Sequence, residues 1–260
     1  MIRVGRCRYD NTGKRYDPSF PGFTNILVLM THTEWGKHLG PYFLKNSNDE
    51  IFENYYQAHK IYEMVPKSIQ RYSRYNNKVI WDHPAETHLK NDLPTKKYWK
   101  WRSKLRKNKF AVRYPVGFNY RGKCLYSLLR RPTMSTASSD KFIDCGLRGI
   151  YEKLDYIEAR KELYVKKYCK LVKQETKFSE LQAKLDSGEN LLIIEVDAPH
   201  QEDLKYYVKK YDVDDNFIVD HSMVANVDNL KIMLNDAKHP FGHGYCLAIA
   251  LLDIEEDVCS

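Results

Sequence analysis

Residues 191–196, LLIIEV, constrain the fold of this chain more than any other stretch. An apolar run of this length between polar turn residues reads as a buried strand, which other elements must cover. A shorter run at 26–30 reads as a second one. Between and after them the apolar spacing is helical. It predicts a helix at 53–63, ended by Pro66, and a long helical stretch over 151–186. In that stretch Leu154, Ile157, Leu163, Tyr164, Tyr168, Leu171 and Val172 recur, and Phe178, Leu181 and Leu185 continue the pattern to Gly188. Further helices are expected near 201–211 and 227–236, with an extended stretch at 217–219 between them. A final apolar helix follows the Gly-punctuated PFGHGY. The mixture predicts an α+β fold, an irregular mixed α/β single domain.

Punctuation and charge subdivide the chain. Residues 1–23 carry Gly13, Pro18, Pro21 and Gly22 and read as an N-terminal arm. Residues 24–260 read as one globular domain with a basic part (24–131), a small polar loop (132–149) and an acidic part (150–260). The chain has 260 residues, 43% of them hydrophobic, which is enough for a sizeable core. The net charge of +8 is unevenly divided. Residues 1–131 hold 26 Lys and Arg against 10 Asp and Glu, a net of +16; residues 132–260 hold 16 against 24, a net of −8. Asymmetry on this scale points the basic half at a polyanion.

The cations are densest in 96–109, KKYWKWRSKLRKNK, where eight of fourteen residues are Lys or Arg and none is acidic. Lys96, Lys97, Lys100, Arg102, Lys104, Arg106, Lys107 and Lys109, with Arg113 beyond, are candidates for neutralising phosphates. Trp99 and Trp101 between them are candidates for stacking on unpaired bases. The alternative places the tryptophans in the core of a helix whose charged face is solvated. No lipidation signal or broad apolar face accompanies the cations, and no run of 18 apolar residues is present, so a membrane partner is not expected. The N-terminus lacks the apolar stretch of a secretory signal. The six cysteines are scattered with no pair inside ten residues, which fits reduced thiols in cytoplasm or nucleus rather than a disulfide framework.

Three constellations bear on chemistry. At helical spacing, Glu53, Gln57 and Lys60 share one face, either as a polar pocket or as a solvated face with an i,i+4 pair. At the end of the LLIIEV strand, Glu195, Asp197 and His200 lie where α/β folds place ligands; Asp197 and His200 suit a carboxylate and acid/base pair, or a cap and a turn at Pro199. With a divalent ion, Glu195 and Asp197 would suit phosphotransfer. In WDHPAETH, His83 and His88 are five apart with a proline between, which is unfavourable for a metal site, so no metal is expected. No P-loop, GxSxG elbow or GxGxxG is present, and no cofactor is expected.

The segment 52–62, FENYYQAHKIY, resembles the signature of NADAR-family N-glycosidases, in which an acid, aromatics, Gln-Ala and Lys follow in this order. Its lead-in (Pro41, Tyr42, Phe43, then Ile51, Phe52, Glu53) is also similar. Residues 242–252, GHGYCLAIALL, resemble that family's Gly-rich turn into a terminal helix, and Trp35-Gly36 its early Trp-Gly. Apart from Trp35-Gly36, the resemblance is confined to 40–62 and 242–252. It implies a NADAR-like helical core with insertions and hydrolysis of an N-glycosidic bond of an ADP-ribosyl group or modified nucleobase, within nucleic acid or as a phosphorylated nucleotide. In that chemistry a carboxylate stabilises an oxocarbenium-like state or activates water. Glu53 would be that carboxylate and Lys60 would bind phosphate or assist the leaving group. Gln57 would orient the sugar, and Tyr56 or Trp35 would stack. Independently of the resemblance, His243 between Gly242 and Gly244 is a candidate for contacting a phosphate beside a helix N-terminus, the alternative being a turn residue. The competing expectation is a non-catalytic nucleic-acid-binding protein that uses 96–109.

Overall fold

The computed structural model describes residues 1–29, 33–65, 67, 84–112, 123–132 and 141–260. Helices and several small sheets are mixed in an irregular α+β arrangement. The chain forms two compact units, Met1–Leu44 with Val165–Ser260, and Lys45–Tyr164.

The first unit is built on the LLIIEV run. Asn190–Glu195 is a central strand with Leu191, Leu192, Ile193 and Ile194 fully buried. It pairs in parallel with Ile2–Arg6 on one side and Phe23–Leu27 on the other, and Ser222–Val224 adds an antiparallel edge. Side chains alternate across the strand. Leu192 and Ile194 face Cys7 and Leu29, whereas Ile193 and Glu195 face the N-terminus of the helix His243–Leu252. That helix is buried from His243 to Leu251 and packs against Ile2–Arg6, Asn190–Glu195 and the helix Lys166–Val172. Truncating one such core aliphatic to alanine costs about 2–5 kcal/mol.

Several expectations change here. The segment read as an arm contributes a central strand. Ile2 and Val4 are buried, and buried Arg3 is satisfied by Ser222 Oγ at 2.9 Å and by the Phe20 ring 4.0 Å away. The strand expected at 26–30 runs instead over Phe23–Leu27, and Met30 lies outside the described residues. At 217–219 only Val219 bridges, to Ser222, and the strand is Ser222–Val224.

The second unit carries an antiparallel sheet in the order Phe142–Asp144, Ile150–Leu154, Tyr126–Arg130, Lys60–Ile61. Two helices, Phe52–Gln57 and Lys96–Arg106, pack together over a core of Ile61, Tyr62, Tyr98, Trp101, Leu105, Leu128 and Tyr151. Buried Asn54 pins the first helix to the segment after the second: its Nδ2 donates to the Phe110 carbonyl at 2.8 Å and its Oδ1 accepts from the Val112 amide at 2.8 Å.

The helix expected from 53 to 63 ends at Gln57, and Lys60 lies on a strand facing Ser127. The stretch expected to be helical from 151 begins as the strand Ile150–Leu154. Tyr151 and Leu154 bury at a spacing compatible with either element, and pairing on both edges decides for the strand. Helix starts only after Asp155, which accepts from the amides of Ile157 and Glu158 at 2.8 Å while Glu158 accepts from Asp155 N, a reciprocal capping box. A wider i→i+5 stretch, Arg160–Val165, leads on to Lys166–Val172 and then Thr176–Asp186. Within the expected polar loop, Phe142–Asp144 is a strand and Gly146–Arg148 a tight turn, while 133–140 lie outside the described residues.

Among the described residues no helix is long and apolar enough to cross a membrane. All six cysteines are free thiols.

Candidate functional site

The basic stretch folds as the helix Lys96–Arg106, started by Thr95, whose hydroxyl accepts from Tyr98 N at 3.2 Å. At about 100° per residue its side chains fall into three stripes. Tyr98, Trp101 and Leu105 form a buried stripe. Lys96, Lys97, Lys100, Lys104 and Lys107 form an exposed one. Trp99, Arg102, Ser103 and Arg106 form the third, and with Lys107, Glu50, Arg148 and Tyr151 they line a pocket of about 300 Å³. Lys109 is exposed just past the helix, and Arg113 lies outside the described residues.

The two tryptophans therefore part company. Trp101 is 1% exposed, its ring 4.7 Å from His88 and 5.8 Å from Tyr98, so it is a core residue closed to a base. Trp99 reaches the pocket. Its ring lies 5.0 Å from Tyr151, and the guanidinium carbons of Arg102 and Arg148 each sit 5.5 Å from its centroid. Arg106 is held by Glu50 in a bidentate pair, both contacts 2.8 Å. Arg102 is 6% exposed and donates to the Tyr98 hydroxyl at 3.2 Å. Among the described residues neither Arg102 nor Arg148 has a carboxylate partner. Sequence reasoning missed Arg148, Tyr151 and Glu50 because they come to the helix from distant segments.

In the same unit Glu53, half-buried, accepts from Gln57 Nε2 at 2.9 Å, so the i,i+4 pair forms. Lys60 is not the next member of that helical face. From its strand the buried ammonium reaches over the Tyr56 ring, 4.5 Å from the centroid. Tyr56 also packs on Tyr164 at 4.8 Å. Burial first, and the neighbouring Tyr156 second, push the Tyr56 phenol well above its ordinary pKa, while Arg160 opposes them. Arg160 is itself buried, 4.3 Å over the Tyr156 ring, at the start of the i→i+5 stretch. Glu53, Gln57, Lys60 and Arg160 thus gather around Tyr56. Only Arg160 was missed, and no local pattern marks it.

In the first unit the strand end holds a buried ion pair. Glu195 accepts from Gly244 N at 2.5 Å and from His243 Nδ1 at 2.8 Å. His243 Nε2 donates to the Val28 carbonyl at 2.6 Å, and a carbonyl can only accept, so Nε2 carries a proton. Burial lowers the His243 pKa, but the charge and hydrogen bond of Glu195 outweigh it and the net shift is upward. The glycines allow this approach: a Cβ at Gly242 would stand 2.2 Å, and one at Gly244 2.9 Å, from Glu195 Oε2. This corrects the expectation that His243 contacts a phosphate. Its ring is buried and engaged, and the helix N-terminus already receives a carboxylate. The same contacts engage Glu195, leaving it unsuited to share a divalent ion with Asp197.

Asp197 lies past the strand end, its carbonyl accepting from Gly242 N at 3.2 Å. His200, in the left-handed region at φ 68°, stacks on His221 at 4.3 Å with the two Nδ1 atoms facing. Arg6 ties this corner down through the carbonyls of His200 (2.6 Å) and Val196 (3.2 Å). Burial, and then Arg6 and Arg8, lower the His200 pKa; burial, His200 and Arg8 do the same for His221. His221 was not anticipated, since its residue type alone carries no signal. Trp35 is half-buried, with Lys177 Nζ 5.1 Å over its ring, and belongs to this unit rather than to that of Glu53.

His83 lies outside the described residues, and His88 is buried among aromatics beside Glu86 at 3.3 Å. Among the described residues no group of three or more His, Cys, Asp or Glu is placed to hold a metal ion. No known protein family, curated protein or solved structure matches this chain.

Proposed function

We propose that the second unit binds nucleic acid through the helix Lys96–Arg106. The observation that carries this reading is the exposed stripe Lys96, Lys97, Lys100, Lys104 and Lys107 on a helix without a single acidic residue. A surface helix serving only solubility usually alternates charge signs; this one concentrates one sign along a line, as backbone recognition requires. Affinity then rests largely on counterion release and falls steeply with salt. The test is titration of a labelled oligonucleotide at several salt concentrations with the native protein and with the triple variant Lys96→Gln, Lys97→Gln, Lys100→Gln. The expected result is weaker binding and a shallower salt dependence in the variant; equal curves contradict the reading.

A second reading, N-glycosidase activity, is favoured by the gathering of Glu53, Gln57, Lys60 and Arg160 around Tyr56. A half-buried carboxylate beside an amide and two buried cations suits an oxocarbenium-like state on a phosphorylated ribose. A target base within nucleic acid would be extruded to reach it. The assay is release of free base or ADP-ribose from nucleotide and nucleic-acid substrates. Release by the native protein that is abolished in Glu53→Gln supports this reading. Release that persists in Glu53→Gln removes Glu53 from the chemistry.

A further inference from the structure

We infer that the pocket beside the lysine stripe receives one unpaired nucleotide, base and phosphate together, and so gives this unit a preference for single strands. The inference rests on the nucleic-acid reading above and specifies its ligand.

Charge balance is the first argument. Arg102, Arg106, Arg148 and Lys107 meet in the pocket with Glu50 as the single carboxylate lining it among the described residues, and Glu50 is spent on Arg106. Arg102 is more than nine-tenths buried, yet among the described residues its hydrogen-bond partner is a neutral phenol, and the rings of Trp99 and Tyr151 each lie 5.5 Å from its guanidinium. Buried cations are normally paired with anions, because desolvation without a counter-charge is costly. A guanidinium aimed into an open pocket without one is suited to a ligand phosphate, which it binds in a planar fork.

The aromatic side of the pocket supplies the second argument. Trp99 and Tyr151 stand 5.0 Å apart, and Arg148 is exposed on the turn Gly146–Arg148 with its guanidinium over Trp99. A planar base can stack on that guanidinium or take its place over the ring. A volume of about 300 Å³ is at the lower end of small-ligand sites and suits a single nucleotide rather than a larger cofactor.

Continuity is the third. Lys107 belongs both to the exposed stripe and to the pocket lining, so a backbone lying along the lysines arrives at the pocket lip. In a duplex the bases are paired and stacked, and none can enter without being flipped at a cost of a few kcal/mol. A single strand enters without that cost.

The experiment compares a single-stranded oligonucleotide of about twelve nucleotides with the same sequence as a duplex, by anisotropy at fixed salt. It uses the native protein, Arg148→Ala, Arg102→Gln and the triple lysine variant. The native protein is expected to prefer the single strand, and Arg148→Ala to reduce the single-to-double affinity ratio about tenfold, the size of one lost base stack. Because Arg148 is exposed, this variant reads the pocket even if the buried Arg102→Gln fails to fold. The triple lysine variant is expected to weaken both substrates and keep the ratio. A nucleoside 5′-monophosphate should compete better than either the nucleoside or inorganic phosphate. A native protein with equal affinity for both strands overturns the pocket, as does a ratio unchanged in Arg148→Ala while the lysine variant loses affinity for both; in those cases the helix reading stands. Absence of binding to either substrate overturns both.

Discussion

The two units use their charged residues in opposite ways. At the strand end of the first, charges turn inward. Glu195 is taken by His243 and Gly244, His200 faces His221, and Arg6 caps backbone carbonyls. In the second, Lys96, Lys97 and Lys100 face solvent, and Arg102 and Arg148 have aromatic rings where a carboxylate would be expected. Both regions offer residue types that suggest a site. Only the second leaves them available to a ligand, and that is why the proposals rest there.

The comparison breaks most visibly in stability. Glu195→Ala leaves the buried His243 ring without its carboxylate partner, and Gly242→Ala drives a methyl into the Glu195 carboxylate. The first is expected to cost about 3–5 kcal/mol in denaturant unfolding, the second about 1–3 kcal/mol. In the second unit, Glu53→Gln removes a half-buried carboxylate held by one amide and is expected to cost less than about 1 kcal/mol. Similar losses from the two carboxylates would erase the contrast.

The inward charges also give the first unit a pH signature. His243 has a raised folded pKa, so its contribution is fully present below its ordinary value of 6.5 and is lost as pH rises through the raised one. His200 and His221 have lowered values, so theirs is present above 6.5 and is lost as pH falls through the lowered ones. Denaturation midpoints between about pH 5 and pH 8 should therefore flatten on the alkaline side in His243→Gln and on the acid side in His221→Gln. The opposite pattern would reassign the proton positions. The smallest stability effect is expected in the second unit, where the triple lysine variant should remain within about 0.5 kcal/mol of the native protein.

Much of this division is legible in the sequence where local pattern and tertiary structure agree. Leu191 to Ile194 are buried because four such aliphatic residues in a row cannot be satisfied in water, whereas Val196 beyond the strand is exposed; the apolar helix begins at the glycine-punctuated turn as expected. The lysines of 96–107 are exposed as their chemistry demands. The pattern fails where distant pairing decides. Residues 150–154 join a sheet, and Lys60 leaves its helix to lie opposite Ser127. The candidate sites are harder still. Glu50 and Arg106 are 56 residues apart, and the facing of His200 and His221 depends on left-handed backbone at both. Residue type named Glu195, His200 and His243 but not His221, and only geometry revealed that these groups satisfy one another.

The most direct test is the salt dependence of oligonucleotide affinity for the native protein and for Lys96→Gln, Lys97→Gln, Lys100→Gln. If the outward cations hold phosphates, the slope of log affinity against log salt should become shallower by about one for each lysine that contacts a phosphate, with unfolding stability unchanged. Identical affinities and slopes in the two proteins would contradict the assignment of this helix to nucleic acid.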